Sequence, residues 1–189
     1  MKATYMNRIA QLDPAQAAGK TKRLFDAVQG QWGLVPNLYR VLGTAPAALE
    51  GYLNFREALA GGSFNAKVRE QIALAVAESN LCGYCLSAHT VMGTRVGLTV
   101  EDIAEARHAG STVGKTDAIL KLARNIVVQR GEVGDADLKK ARTAGLTDSD
   151  ILETLANVVA NIFTNYVNHV ARTGVDFPVV RPGQVEASG

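Results

Sequence analysis

Apolar positions in this chain recur mostly at steps of three and four, the spacing of one face of a helix, and strand-type alternation is scarce. Val68, Ile72, Ala75 and Val76 mark the stripe of a helix predicted over Ala66–Ser79. Pro46 opens a helix over Ala47–Ala60, which Gly61-Gly62-Ser63 ends. Asp13 as cap and Pro14 as opener predict a first helix running through Val28, followed by a break over Gly30–Asn37. A short helix is expected over Asn37–Leu42 and another over Cys82–Val96, starting at a turn. Thr99 with Asp102 three residues later reads as a capping box for a helix to about His108, which serves as its C-terminal cap. Helices are further expected over Asp117–Val128, over Asp135–Ala144, and from a Thr147 cap to about Thr173. The pattern predicts an all-α protein: a single helical domain over 1–176 with a helical hairpin at about 66–96, followed by a C-terminal arm over 177–189 with frayed last residues.

The run Gly97-Leu98-Thr99-Val100-Glu101-Asp102-Ile103 resembles Gly145-Leu146-Thr147-Asp148-Ser149-Asp150-Ile151. The shared offset suggests a degenerate repeat over about 115–173. It lays Cys82 on Arg130 and His89 on Asp137, so only the first half carries thiol chemistry.

Composition narrows the function classes. The 189 residues are 47% hydrophobic and 20% charged, which is a folded composition. Twenty Lys and Arg against 18 Asp and Glu leave a net charge of +2, which gives no support for a nucleic-acid partner. No apolar stretch is long enough to span a membrane, and the first residues lack a signal-type apolar core, so no membrane partner and a cytoplasmic location are expected. The only cysteines are Cys82 and Cys85. So close a pair staples almost no chain, which points to chemistry rather than to a structural bridge.

Cys82, Cys85 and His89 share one helical face, and the open amides of a first turn favour a thiolate there. Asn80 is a candidate cap for that helix. Glu70 stands about 18 Å from Cys82 along a straight helix, too far to act. A turn at Asn80-Leu81 folds the segment into a hairpin and brings Glu70 level with His89. A Glu70–His89–Cys85 relay then becomes geometrically possible, with the carboxylate orienting the imidazole and the imidazole taking the thiol proton. Cys82 would resolve oxidised Cys85 as a disulfide. Glu78 is a competing carboxylate, otherwise an exposed charge at a helix end. A zinc site on Cys82, Cys85 and His89 lacks the second ligand pair of structural sites, so no metal or cofactor is expected. Asn161, Asn165 and Asn168 share a face of the last helix, with His169 beside them, and suggest a polar network, an interface or support near the thiols. Trp32, Tyr52 and Phe55 line either an apolar approach to the thiols or, more commonly, a core or subunit interface.

The run Val68-Arg69-Glu70-Gln71-Ile72-Ala73-Leu74-Ala75-Val76, then Cys82-Gly83-Tyr84-Cys85 and Ala88-His89, resembles the alkylhydroperoxidase D and carboxymuconolactone decarboxylase superfamily, in its peroxidase-related branch with both cysteines. Trp32-Gly33-Leu34-Val35-Pro36-Asn37 and Asn165-Tyr166-Val167-Asn168-His169 also look like elements of full-length members. The resemblance implies an all-helical fold and homo-trimers or homo-hexamers. It gives Cys85 the peroxidatic role, Cys82 the resolving role, and Glu70 and His89 the relay. Tyr84 stands where some members place a second histidine, and Tyr84, Glu78 and His169 are supporting candidates. The implied reaction reduces a hydroperoxide, with a dithiol or lipoylated protein as reductant. Two rivals remain: a decarboxylase-like lyase or isomerase using Glu70 and His89 as acid and base, and a non-catalytic redox-sensing oligomer.

Overall fold

The computed structural model describes residues 7–184. Within them the chain forms nine α-helices and one short 3-10 turn, with no strand among the described residues. The helices are α1 (Gly19–Trp32), α2 (Asn37–Leu42), α3 (Pro46–Ala60), α4 (Ala66–Ser79), α5 (Gly83–Arg95), α6 (Val100–Arg107), α7 (Gly114–Val128), α8 (Asp135–Thr143) and α9 (Asp148–Ala171).

Helix α4 is the axis of the fold and packs against α5, α6, α7 and α9. Every residue from Gln71 to Ala77 is buried, so this helix is covered all round rather than along one stripe. Ala73, Ala75 and Ala77 add little bulk, which suits a helix packed by four others. The Asn65 side chain caps it, accepting the Val68 N–H at 3.0 Å.

The corner between α4 and α5 positions the cysteines. Asn80 ends α4, and Leu81 takes the left-handed conformation with φ 55°. The Leu81 N–H donates to Glu78 O at 3.0 Å and the Cys82 N–H to Ala77 O at 2.9 Å. These two bonds make a Schellman motif, which satisfies the last carbonyls of α4 while reversing the chain. Cys82 is at once the second residue past the Asn80 cap of α4 and the N-cap of α5. Asn80 therefore closes the first helix of the hairpin rather than capping the second.

The later joints repeat this chemistry. Thr99 and Thr147 both form complete capping boxes, with Asp102 and Asp150. Gly97 and Gly145 precede them at φ 85° and 91°, and the Leu98 and Leu146 N–H groups donate back to Gly93 O and Ala141 O. The trios α4–α5–α6 and α7–α8–α9 share these joints but differ in length: α8 has 9 residues against 13 in α5, and α9 has 24 against 8 in α6.

Three boundaries differ from the sequence reading by three residues or more, one of them the start of α7, which lies at Gly114 rather than Asp117. Asp13 and Pro14 open only the 3-10 turn Pro14–Gln16, because Ala17 and Ala18 are extended before α1 starts. Helix α1 continues through Gly30 to Trp32 and stops at Gly33, whose φ of 77° makes it the C-terminal cap. The segment after Thr173 folds back on its own chain. Phe177 packs edge-on against Tyr84 with ring centroids 5.7 Å apart, and the Val180 N–H donates to Ser87 Oγ at 2.9 Å. Arm positions 185–189, including the expected frayed end, lie outside the described residues.

Candidate active site

Cys85 is the third residue of α5, one turn from Cys82, and both thiols are free and buried. The first-turn amides of α5 lend positive potential to this position. Across the hairpin, the Glu70 carboxylate on α4 meets the His89 imidazole on α5, with Oε2 2.7 Å from Nδ1. Their side chains are only 18% and 16% exposed, so little water screens the pair. With Nδ1 held by the carboxylate, Nε2 is the nitrogen left for exchange with a thiol or a substrate.

Helix α9 closes the other side. The Asn168 Nδ2 donates to Cys85 Sγ at 3.2 Å, and the Cys85 thiol faces Thr164 Oγ1 at 3.9 Å. The Cys82 thiol faces Asn165 O at 3.9 Å, while Asn165 Oδ1 accepts from Asn80 Nδ2 at 2.9 Å. Of the amide row on α9, Asn165 and Asn168 reach the thiols, and Asn161 donates instead to Asn157 O. Thr164 has no sequence signal that marks it, because its relation to Cys85 is purely tertiary.

The electrostatics separate the two thiols. Burial pushes Cys85 up, but the Cys82 thiol as hydrogen-bond partner, the His89 charge and the Asn168 and Asn165 amides outweigh it and bring Cys85 down to about 6. Cys82 moves far upward through its hydrogen bond to Cys85 and through burial. Burial alone would lower His89, yet the Glu70 charge and hydrogen bond raise it above 6.5. The arrangement stabilises a thiolate on Cys85, a neutral thiol on Cys82 and a protonated imidazole beside them.

Cys85 lines a narrow cleft of about 50 Å³ with His89, Glu70, Tyr84, Trp32 and Tyr39 among its walls. Tyr52, Arg56, Glu70 and His89 also line a wider cavity of about 480 Å³. These four residues therefore stand between the outer cavity and the cleft that holds the thiol, lining both. Arg56 is steered there by Trp32, whose ring centroid lies 5.1 Å from the guanidinium, and by a 3.2 Å bond to Gln31 Oε1. Trp32 and Tyr52 thus reach the cleft, whereas Phe55 is 38% exposed and lines a separate groove on α3 and α9.

The supporting candidates fall elsewhere. Glu78 is bonded to Arg107 Nε at 2.9 Å and to the Gly183 N–H at 2.5 Å. Arg107 also donates to Arg181 O and Gln184 O, so Glu78 holds the arm to α6 instead of joining the thiols. His169 is exposed on α9, on the face away from Asn168. Tyr84 lines the cleft, and its hydroxyl accepts the Leu38 N–H at 3.1 Å, tying α5 to α2. Tyr39, Arg56 and Phe177 line the cleft without having been singled out by spacing.

The carboxymuconolactone decarboxylase family model matches residues 46–129, which include the whole hairpin. An alkyl hydroperoxide reductase of Mycobacterium tuberculosis is 30% identical over 114 residues, covering 60% of this chain and 33% of that protein. The chain thus spans about a third of that relative's length. An uncharacterized peroxidase-related protein of Ralstonia eutropha with an alkylhydroperoxidase D core shares the fold, with a TM-score of 0.80 and 21% identity over 90% of this chain and 92% of that one. The debrominase Bmp8 in complex with 2,3,4-tribromopyrrole also shares it, with a TM-score of 0.77 and 15% identity over 90% and 92%. At these identities the two structures speak to fold alone. The chain is thus similar to the carboxymuconolactone decarboxylase family over the segment that holds the hairpin, and it shares the helical fold of an alkylhydroperoxidase D core.

Proposed function

We propose that this chain is a thiol-dependent peroxidase that reduces hydroperoxides through Cys82 and Cys85. The observation that carries this reading is the 2.7 Å Glu70–His89 pair in one cleft with a Cys85 thiol lowered to about 6. His89 takes the Cys85 proton and holds it while the thiolate attacks the distal oxygen of ROOH. The S–O bond forms as the O–O bond breaks, and the electron pair leaves on RO⁻, which takes the proton from His89 to give ROH. Sulfur is oxidised by two electrons to a sulfenic acid. The Cys82 sulfur then displaces the hydroxyl, which leaves as water with the Cys82 proton, and a disulfide remains. A dithiol or lipoylated protein returns two electrons and two protons by exchange through a mixed disulfide.

Stoichiometric hydroperoxide followed by mass measurement tests the reading. The expected product is loss of two hydrogens in the parent, gain of one oxygen in Cys82→Ser and no change in Cys85→Ser, with turnover restored to the parent by a dihydrolipoyl donor. An activity that survives both substitutions favours acid–base chemistry by Glu70 and His89 and sinks the thiol mechanism. A disulfide that forms without turnover under any donor favours a redox sensor. Self-association as a homo-trimer or homo-hexamer is supported by the exposed apolar row Leu152, Val159, Phe163, Tyr166 and Val170 on α9. Light scattering reads it directly.

A further inference from the structure

Two buried polar atoms beside the thiols have no partner among the described residues: Asn165 Nδ2 and Asn168 Oδ1. Asn165 is fully buried and Asn168 is 5% exposed, so bulk water does not satisfy them. The other end of each amide is already engaged. Asn165 Oδ1 accepts from Asn80 Nδ2, and Asn168 Nδ2 donates to Cys85 Sγ. What remains is the Asn165 NH₂, which makes no hydrogen bond of regular geometry although its nearness helps to lower Cys85, and the Asn168 Oδ1 acceptor, three residues apart on one face of α9.

A donor beside an acceptor is the complement of a hydroxyl, which offers one oxygen and one proton. In the peroxidase reading the group that the hydroperoxide leaves on the Cys85 sulfur is a hydroxyl. We propose that Asn165 and Asn168 are catalytic residues that receive the hydroxyl transferred from the hydroperoxide to Cys85: Asn165 Nδ2–H donates to its oxygen, and its proton is donated to Asn168 Oδ1. The pair is preorganised, because Asn80 and the Cys85 sulfur fix both amides before any oxidant arrives. The transfer moves an OH group and no further electrons. The S–O bond forms, the O–O bond breaks, and the amides bind the migrating hydroxyl throughout. They hold the sulfenic acid until Cys82 displaces that hydroxyl as water.

This inference rests on the peroxidase reading, and the test separates the two. In a Cys82→Ser background Cys85 is the single thiol, so any thiol reagent reports on it alone. Rates are measured with tert-butyl hydroperoxide and with iodoacetamide at a pH where Cys85 is fully ionised. Iodoacetamide delivers a carbon rather than a hydroxyl, so it reports thiolate reactivity without calling on the vacant donor and acceptor. Asn165→Ala and Asn168→Ala are each expected to slow the hydroperoxide about tenfold while changing the iodoacetamide rate by less than about twofold. Equal losses with both reagents, or no loss with either, overturn the assignment and leave the amides as packing or as ligands of an ordered water. A Cys85 that reacts with iodoacetamide and not with hydroperoxide, in the Asn-intact protein, overturns the peroxidase reading itself and this inference with it.

A second measurement needs no asparagine variant. In the Cys82→Ser protein, the side-chain NH₂ resonances of Asn165 are expected to shift when one equivalent of hydroperoxide converts Cys85 to the sulfenic acid, while those of Asn161 stay fixed. Unmoved Asn165 resonances in the sulfenic form overturn the proposal.

Discussion

Asn168 and Cys85 lie 83 residues apart in the chain, yet the amide nitrogen stands 3.2 Å from the sulfur. An N–H aimed at sulfur is worth little to a neutral thiol and much more to a thiolate. Burial pushes Cys85 upward, and this bond is one of the contacts that oppose it. Asn168→Ala is therefore expected to raise the Cys85 pKa from about 6 by about one unit. Thiolate ultraviolet absorbance against pH in the Cys82→Ser background reads the change, and an unmoved titration contradicts it.

The pH profile follows from the two opposed shifts. In the proposed cycle Cys85 reacts as the thiolate, so the rate of its oxidation is expected to rise through pH about 6. The same cycle has His89 carry the proton for the leaving oxygen, and its pKa is raised above 6.5, so kcat/KM is expected to fall again once that raised value is passed. Stability responds in opposite senses. The depressed Cys85 contributes stability fully above its ordinary 9.0, losing it as pH falls through about 6. The raised His89 contributes below 6.5 and loses its contribution as pH rises through its folded value. Cys85→Ser should therefore flatten the rise in Tm between these two Cys85 limits, as followed by thermal unfolding across pH.

Glu70→Gln keeps the shape of the side chain and removes its charge. Burial then acts on His89 without that opposing charge, so the imidazole pKa falls, which ring NMR titration reads directly. The accompanying loss of peroxide turnover is expected to be about tenfold to a hundredfold, with an unchanged helical circular dichroism spectrum. Full turnover in this variant would remove Glu70 from the relay.

Arg107→Ala tests the arm. The guanidinium side chain is 8% exposed and joins Glu78 to two backbone carbonyls of the arm. Its removal leaves the Glu78 carboxylate without its cation and is expected to cost about 3 kcal/mol. Hydrogen exchange should show lost protection at Val180, whose N–H is held by Ser87, and denaturant unfolding gives the cost.

Leu81 occupies a left-handed position at φ 55° with its side chain 69% exposed, so its packing offsets little of the strain. Leu81→Gly is expected to stabilise the protein by about 1 kcal/mol while leaving the corner and the cysteine spacing intact. A lower Tm would show that the exposed leucine makes an interaction outside this chain's own core.

Local order was legible wherever both ends of a helix carry their own hydrogen-bonding signal. Helix α4 spans Ala66–Ser79 as its spacing predicts, and the Thr99 and Thr147 boxes start α6 and α9 at the expected residues. These bonds join residues three or four apart, so a sequence reading contains both partners. The first helix was less legible because Gly30 looks like a stop, whereas Gly33 has the positive φ that ends it. Glu78 was ambiguous for a different reason: its partner, Arg107, lies 29 residues away, and no periodicity links them.

The sequence by itself determined an all-helical chain, the hairpin turn after Asn80, and a shared helical face for Cys82, Cys85 and His89. It did so because helical rise and angle are fixed per residue, and a two-residue corner leaves few ways for Glu70 to face His89. Only the tertiary structure decided that Asn168 and Thr164 lean on Cys85, that Glu78 turns to the arm, and that Phe177 returns to Tyr84. Those contacts depend on how closely α9 and the arm approach the hairpin. That approach is set by burial around the small residues of α4, a collective packing outcome that no local spacing encodes.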